Sequence, residues 1–233
     1  MTDAQGTADR PVDIRPGGRV RMERSAASRQ LILATAERLF AERGVAAVSH
    51  RHISEAAGQR NSAAVGYHFG TKPDLVLAIL RSHSEPIEAR RQEMVEALGP
   101  DPDLRDWVAC LVCPSTDHLA ELGDPTWFAR FRALVVTDPA LRELALDDSA
   151  RSGALRRVVE GLRECVRQLP EAVYEERRAM EVQLLVHGCA DRERALAEGR
   201  PTPRATWQEA ATGIVDAVVG LWLAPVSQHG DPV

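Results

Sequence analysis

The chain has 233 residues and a net charge of −5, and 44% of its residues are hydrophobic. This length and composition are sufficient for one large folded core or two smaller ones. No apolar run reaches the roughly 18 residues that a membrane-spanning helix needs, so we expect no membrane segment.

Two further features of the composition restrict the class of protein. The first residues lack the apolar stretch of a signal peptide, so we expect a cytoplasmic protein. Four cysteines in a chain of this length do not indicate a disulfide scaffold, and Cys110 and Cys113 have no second pair at zinc-finger spacing. The sequence therefore predicts neither a metal site nor a cofactor.

The charge is distributed unevenly along the chain. Residues 10–83 carry 12 basic and 6 acidic side chains, a net charge of +6, whereas residues 84–233 have a net charge of −9. This asymmetry fits a domain that contacts phosphate, joined to one that does not. Helical spacing of apolar residues recurs along the chain and strand patterns are nearly absent, so the predicted fold class is all-α.

The predicted elements begin with an arm and a helix. Residues 1–27 are rich in Gly, Pro, Asp and Arg, which predicts a disordered basic arm. This arm is either a solvated tail or a segment that contacts the minor groove or phosphates. The first helix is predicted to start near Ser28, which would cap it, and to end at Arg43 and Gly44.

Two short helices follow, joined by a tight turn. Ser49 is predicted to cap one that ends at Gly58, and the next runs from Asn61 or Ser62 to about Tyr67. In a helix-turn-helix unit the second helix enters the major groove of DNA and presents polar side chains from its early positions. The small residues of this second helix would let its backbone approach the groove closely.

Polar side chains around the turn are the candidates for DNA contacts. Arg60 and Asn61 carry donors that can read guanine or adenine edges. Tyr67, His68 and Lys72 occupy positions where phosphate contacts are expected. The predicted DNA-binding residues are Ser49, Arg51, Arg60, Asn61, Ser62, Ala64, Tyr67, His68 and Lys72. The alternatives are that Arg60 is a solvated turn residue, that His68 packs within the small core, and that Tyr67 is half-buried.

A linking helix is predicted to run from Lys72 to about Leu98, and the break at residues 99–102 separates it from a second helical region. The helical stretches beyond the break lie near residues 103–113, 116–122, 125–137, 139–168, 171–198 and 204–223. The last two have broad apolar faces. Two such helices from each of two subunits can form a four-helix bundle, although the same faces can instead pack within one subunit.

Aromatic residues in this second region are candidates for an effector site. Residues 127–131 place two phenylalanines and a tryptophan beside Arg130, a composition that suits a cavity for an apolar ligand with an acidic group. The predicted ligand-binding residues are Trp107, His118, Trp127, Phe128, Phe131 and His187. For each of them, ordinary core packing is the alternative.

A set of residues at particular spacings in the segment Ile32–Leu80 forms a recognisable sequence pattern. The set comprises Ala36, Leu39, Phe40, Gly44, Ser49, Ile53, Ala56, Ala57, Gly58, Val65, His68, Phe69, Gly70, Lys72 and Leu75. On these residues the segment resembles the DNA-binding domain of the TetR family of bacterial transcriptional regulators, of AcrR-like type. Residues 60–70 are similar to a subset whose recognition helix reads Arg-Asn-x-Ala-Ala-x-x-Tyr-His-Phe-Gly. The turn at residues 58–62 is about one residue longer than in the commonest family pattern.

The resemblance implies a helix-turn-helix domain over residues 28–80 and a helical ligand-binding and dimerisation domain over residues 99–233. It also implies a homodimer formed through the last two helices, with double-stranded operator DNA and an unknown small-molecule effector as partners. The leading hypothesis is a repressor that its effector releases from DNA. The alternatives are a DNA-binding regulator without a small ligand and, remotely, a helical enzyme. No catalytic or nucleotide-binding motif is found, so we predict that the protein is not an enzyme.

Overall fold

The computed structural model describes residues 16–59 and 63–227, and all regular secondary structure in these ranges is α-helical. The predicted all-α class is thereby confirmed. None of the described helices is long and apolar enough to cross a membrane. The helices are α1 Pro16–Arg43, α2 His50–Ala56, α3 Ala64–Phe69, α4 Lys72–Glu96, α5 Leu104–Leu122, α6 Phe128–Thr137, α7 Pro139–Ser149, α8 Gly153–Cys165, α9 Glu171–Ala197 and α10 Trp207–Leu223.

The first helix is longer than the sequence predicts. α1 begins at Pro16 instead of near Ser28, so residues 16–27 of the expected arm belong to the helix. Proline is tolerated in a first turn, because its missing N–H has no partner there. Ser28 is not the cap; its hydroxyl donates to Gln59 Oε1 at 3.0 Å and ties α1 to the turn after α2. Residues 1–15 of the predicted arm lie outside the described residues.

Two boundaries in the second region also differ from prediction. The break expected near Pro114 is absent, and α5 continues through it. A proline at this position leaves the carbonyl of Cys110 without its helical N–H partner. Arg91 Nε donates to that carbonyl at 3.1 Å, so the uninterrupted helix keeps its hydrogen bonding. Conversely, the stretch predicted over residues 139–168 is divided into α7 and α8, because Ser152 caps α8 by accepting the Leu155 N–H.

The helix-turn-helix unit packs directly onto the second region through α1. On one side α1 packs against α2 and α4, and on the other it packs against α6. Ile53 and Val65, from α2 and α3, belong to the same buried core as Phe40 of α1. The Phe40 ring stacks on Phe131 of α6, with ring centroids 6.1 Å apart. α1 is therefore shared between the two parts of the molecule.

The last two long helices are joined within the subunit by buried polar groups. Trp222 Nε1 on α10 donates to Glu181 Oε1 on α9 at 3.0 Å, and Arg177 Nη1 donates to the Trp222 carbonyl at 2.7 Å. Burial raises the pKa of the Glu181 carboxyl. Another part of the α9 surface faces outward, where Met180 is 43% exposed and Leu184 is 42% exposed. These helices thus use one face within the subunit and leave a second apolar strip open.

Candidate nucleic-acid interface

α2 is fixed at its start by a reciprocal cap. Ser49 Oγ accepts the His52 N–H at 3.2 Å, and the Ser49 N–H donates to His52 Nδ1 at 3.4 Å. Such a cap satisfies backbone donors that have no partner within the helix. Ile53 and Ser54 are completely buried and hold the helix against the core. Ser49 itself is exposed, where sequence analysis expected a DNA contact.

The outer face of α3 has little side-chain bulk apart from one projecting side chain. Val65 and Phe69 are buried on its inner face. On the outer face a Cβ added at Gly66 would meet nothing within 4 Å, and Tyr67 is 85% exposed. The interpretation of Tyr67 as a half-buried core residue is therefore wrong. His68 is half-buried and lies edge-on to the Tyr67 ring, with centroids 5.2 Å apart.

The predicted base-reading residues Arg60, Asn61 and Ser62 lie outside the described residues. They immediately precede the start of α3, where Ala64 is half-buried. The adjoining turn begins at Gly58, whose φ of 63° lies in the left-handed region that glycine adopts without strain.

Lys72 connects two parts of the helix-turn-helix unit. Its Nζ donates to the carbonyls of Val45 at 2.9 Å and Ala46 at 3.3 Å, so the ammonium ties the loop between α1 and α2 to the start of α4. An ammonium has three donors, and two of them are used here. The start of α4 is further capped by Thr71, whose hydroxyl donates to Asp74 Oδ2 at 2.6 Å. Hydrogen bonds from Thr71 lower the pKa of the Asp74 carboxyl.

Two arginines lie near this surface in different settings. The Arg51 side chain is 78% exposed and its Nε donates to Glu55 Oε1 at 2.7 Å. That hydrogen bond lowers the pKa of Glu55, so the carboxylate offsets the arginine charge. Arg29 is an exposed residue of α1, and its guanidinium lies 4.9 Å from the centre of the Phe69 ring of α3. Sequence analysis did not single out Arg29, because helical spacing in α1 carries no information about packing on α3.

One of the predicted effector-site residues, His118, belongs to a buried polar chain that joins the two parts of the molecule, and a second, Phe128, covers it. His83 Nε2 lies 2.7 Å from Glu37 Oε2, and His83 Nδ1 lies 2.8 Å from His118 Nε2. We call this the Glu37–His83–His118 chain. The Phe128 ring stacks on His83 with centroids 3.9 Å apart and meets His118 edge-on at 5.8 Å. The chain and its cover thus bring α1, α4, α5 and α6 together.

The proton arrangement of this chain follows from its chemistry. A carboxylate only accepts, so Glu37 requires a donor at His83 Nε2. With both imidazoles neutral, His83 Nδ1 then accepts from His118 Nε2–H. Burial, together with the nearby His83, lowers the pKa of His118 to about 4. His118 is therefore neutral at pH 7.

The remaining predicted ligand residues do not form one cluster. Phe131 is fully buried against α1, and Trp127 is half-buried at the start of α6. Trp107 packs on α8, where a Cβ added at Gly161 would lie 2.2 Å from its indole. His187 is half-buried on α9.

Arg130, expected to accompany an acidic ligand group, is already paired. Its Nε donates to Glu193 Oε2 at 2.9 Å, and Glu193 also accepts its backbone N–H at 3.0 Å. The sequence interpretation of Arg130 as the partner of an acidic ligand is thus not supported by its surroundings.

Glu37 and His83 were not among the residues predicted for a site, although their positions in the sequence carry a signal. Glu37 lies between Leu33 and Phe40 on the buried stripe of α1, and His83 occupies the same kind of position in α4. A polar residue on an apolar stripe requires a buried partner. Among the described residues, no group of three or more histidine, cysteine or acidic side chains is placed to hold a metal ion.

Comparisons with known proteins agree with this geometry. Residues 32–79 match the sequence model of the family described as bacterial regulatory proteins, tetR family. The HTH-type transcriptional repressor AcnR of Corynebacterium glutamicum is 36% identical over 91 residues, which cover 35% of this chain and 46% of that protein. AcnR of Corynebacterium efficiens is 34% identical over 87 residues, with the same shares covered. The chain therefore spans about half the length of the curated relatives it matches.

Solved structures extend the similarity to the whole fold. A TetR family transcription regulator from Marinobacter aquaeolei VT8 superimposes with a TM-score of 0.57 at 16% identity, covering 86% of this chain and 96% of the other. A putative tetR family regulator from Shewanella sp. PV-4 superimposes with a TM-score of 0.53 at 19% identity, covering 84% and 95%. The chain therefore has a TetR-like all-α fold with an N-terminal helix-turn-helix domain, and residues 32–79 of that domain match the tetR family of bacterial regulatory proteins.

Proposed function

We propose that the protein is a sequence-specific DNA-binding transcriptional regulator, acting as a homodimeric repressor that a small-molecule effector releases. The observation that carries the proposal is the tetR-family match over residues 32–79 together with the open outer face of α3. The matched relatives are named transcriptional repressors, which supports repression as the mode of regulation. Such a regulator would act in the cytoplasm.

In this proposal α3 lies in the major groove of operator DNA. The absence of a side chain at Gly66 lets the backbone approach the groove, and the exposed Tyr67 hydroxyl donates to a phosphate. The third N–H of the Lys72 ammonium is directed toward the same DNA strand. Arg60 and Asn61 read base edges. Ser49, Arg51 and the remaining predicted residues position the unit on the backbone.

A dimer is required to place two such helices in successive major grooves. Met180 and Leu184 lie one turn apart on α9 and form an exposed apolar pair. Leu223, at the end of α10, is 63% exposed. Apolar side chains grouped on the last two helices support a contact with a second copy of the chain.

Effector release requires coupling between the two parts of the molecule. α1 is held to the second region by the Phe40–Phe131 stack and by the Glu37–His83–His118 chain. An effector that binds better to a second arrangement of α6 would therefore move α1 and the helix-turn-helix unit with it. The resulting change in spacing between the two α3 helices would lower operator affinity.

A gel mobility shift with DNA from upstream of the gene tests the proposal. Tyr67→Ala removes the projecting phenol, and we expect affinity to fall about tenfold, as for the loss of a hydrogen bond to a charged group. Leu146→Ala is the matched control, because Leu146 is also exposed, at 56%, but lies on α7. Absence of any sequence-specific shift with the wild-type protein would contradict the proposed function.

A second candidate function is a DNA-binding regulator controlled without a small ligand. It is favoured by the tight packing of two predicted effector residues, since Phe128 is 3% exposed and Phe131 is 0% exposed. The two candidates differ in whether any small molecule stabilises the protein and alters its DNA affinity.

A further inference from the structure

One positive charge beside α3 is held in place without being neutralised. Arg29 of α1 is exposed, and its guanidinium lies over the Phe69 ring, 4.9 Å from the ring centre. Among the described residues no carboxylate pairs with this guanidinium. The face of an aromatic ring attracts a guanidinium through its charge and leaves the N–H donors free. The Arg29 side chain is therefore oriented, and its donors remain available to an anion.

Three other arginines in and next to the helix-turn-helix unit are paired with carboxylates. These pairs are Arg38 with Glu42 at 3.3 Å, Arg51 with Glu55 at 2.7 Å, and Arg81 with Asp148 at 2.6 Å. A carboxylate in such a pair offsets the positive charge and occupies donors that a phosphate would need. Arg29 has no such competitor in the described part of the chain.

The contacts of α1 place Arg29 beside the helix that would enter the groove. The neighbouring Ser28 donates to the turn after α2, and Arg29 itself contacts Phe69 at the end of α3. The Phe69 ring lies 6.1 Å from the His68 ring, which in turn meets the Tyr67 ring edge-on at 5.2 Å. A short series of contacts therefore connects the Arg29 guanidinium to the exposed phenol of α3.

We propose that Arg29 binds a phosphate of the operator DNA, so that α1 contacts the DNA backbone beside the groove that α3 occupies. The inference rests on the proposed function and deepens it by adding a contact from outside the matched tetR-family segment, which begins at Ile32. The guanidinium donates two parallel hydrogen bonds to phosphate oxygens. Phe69 is a positioning residue, because its ring orients the guanidinium before DNA binds.

The alternative role for Arg29 is to cover the Phe69 ring and nothing more. The salt dependence of DNA binding separates the two roles, because a phosphate contact releases counterions and a cover over a ring releases none. Each phosphate contact contributes about 0.9 to the slope of log affinity against log salt concentration. A phosphate contact also adds affinity without sequence selectivity, since phosphates are alike at every base pair.

The test is a fluorescence anisotropy titration of the full chain between about 50 and about 200 mM NaCl. Arg29→Met removes the charge and keeps an unbranched apolar side chain over the ring. We expect the slope to become shallower by about 0.9 for each bound subunit. Affinity at the lower salt concentration should fall about tenfold for each subunit, and equally for upstream DNA and a shuffled fragment. Arg29→Lys keeps the charge and should restore the slope.

Arg38→Met is the matched control. Arg38 lies about two and a half turns further along α1, on the opposite face of the helix, and pairs with Glu42. This variant should leave the slope unchanged. Equal decreases in Arg29→Met and Arg38→Met would indicate a general effect of net charge, and an unchanged slope in Arg29→Met would mean that Arg29 only covers the ring. Either result would overturn the inference.

The same titrations separate this inference from the proposed function. If the wild-type protein prefers upstream DNA and Arg29→Met keeps its slope, the Arg29 contact fails while sequence-specific binding stands. If the wild-type protein binds both fragments equally, the proposed function fails, and the slopes on the shuffled fragment still decide whether Arg29 contacts a phosphate. If no DNA is bound, both fail.

Discussion

Acid should destabilise the protein through His118, the last member of the Glu37–His83–His118 chain. Its pKa falls from 6.5 to about 4 on folding, chiefly because burial disfavours the charged imidazole. The neighbouring His83 and Arg90 add to the decrease and Glu121 opposes it. Between these two pH values the unfolded chain binds more protons than the folded one. The contribution of His118 is therefore fully present above pH 6.5 and is lost as pH falls through 4.

The size of this effect follows from the pKa difference. Complete loss of the His118 contribution lowers the free energy of unfolding by about 3 kcal/mol. About 2.5 kcal/mol of this should be lost between about pH 7.5 and about pH 4.5. The assay is urea unfolding followed by circular dichroism at fixed protein concentration. His118→Gln is the reference, because its side-chain amide can still donate to His83 Nδ1 but does not titrate. Other titrating groups are common to both proteins and cancel in the difference. If that difference stays constant within about 0.5 kcal/mol across the pH range, the reasoning is refuted.

Two further predictions concern packing and assembly. Gly161→Ala should lower the free energy of unfolding by about 1–3 kcal/mol, because the new Cβ would lie 2.2 Å from the Trp107 indole. Gly153→Ala, in the same helix with nothing within 4 Å, is the control in thermal unfolding, and equal effects of the two changes would contradict the predicted clash. Leu184→Glu should convert the proposed dimer to a monomer in sedimentation velocity, whereas Leu146→Glu should leave assembly unchanged. A dimer that survives Leu184→Glu would place the interface elsewhere.

The helix-turn-helix unit could be predicted because its signals are local. Ser49 is the N-cap that the sequence indicates, and Gly44 and Gly58 adopt the positive φ values expected of helix-ending glycines. Caps and turns depend on residues three or four positions apart, so a pattern in the sequence contains the required information. The start of α1 was harder to predict, because Ser28 has the chemistry of a cap but uses its hydroxyl to bind Gln59.

The buried polar chain could not be predicted in the same way. His83 meets partners 46 and 35 residues away in sequence, and helical spacing does not reveal which buried polar groups meet. The continuity of α5 through Pro114 could not be predicted for the same reason, since it depends on a guanidinium from α4 that reaches the Cys110 carbonyl. The aromatic residues predicted for the effector site were chosen because aromatic side chains are concentrated in that part of the sequence. Composition does not distinguish Phe128 and Phe131, packed on neighbouring helices, from residues that line an open site.

The central claim is that this chain recognises a specific DNA sequence through α3. The most direct test is a fluorescence anisotropy titration of the full-length protein against the upstream DNA fragment and a shuffled fragment of the same composition, at physiological salt. The account predicts tighter binding to the upstream fragment by at least about a thousandfold. Equal affinity for the two fragments would contradict it.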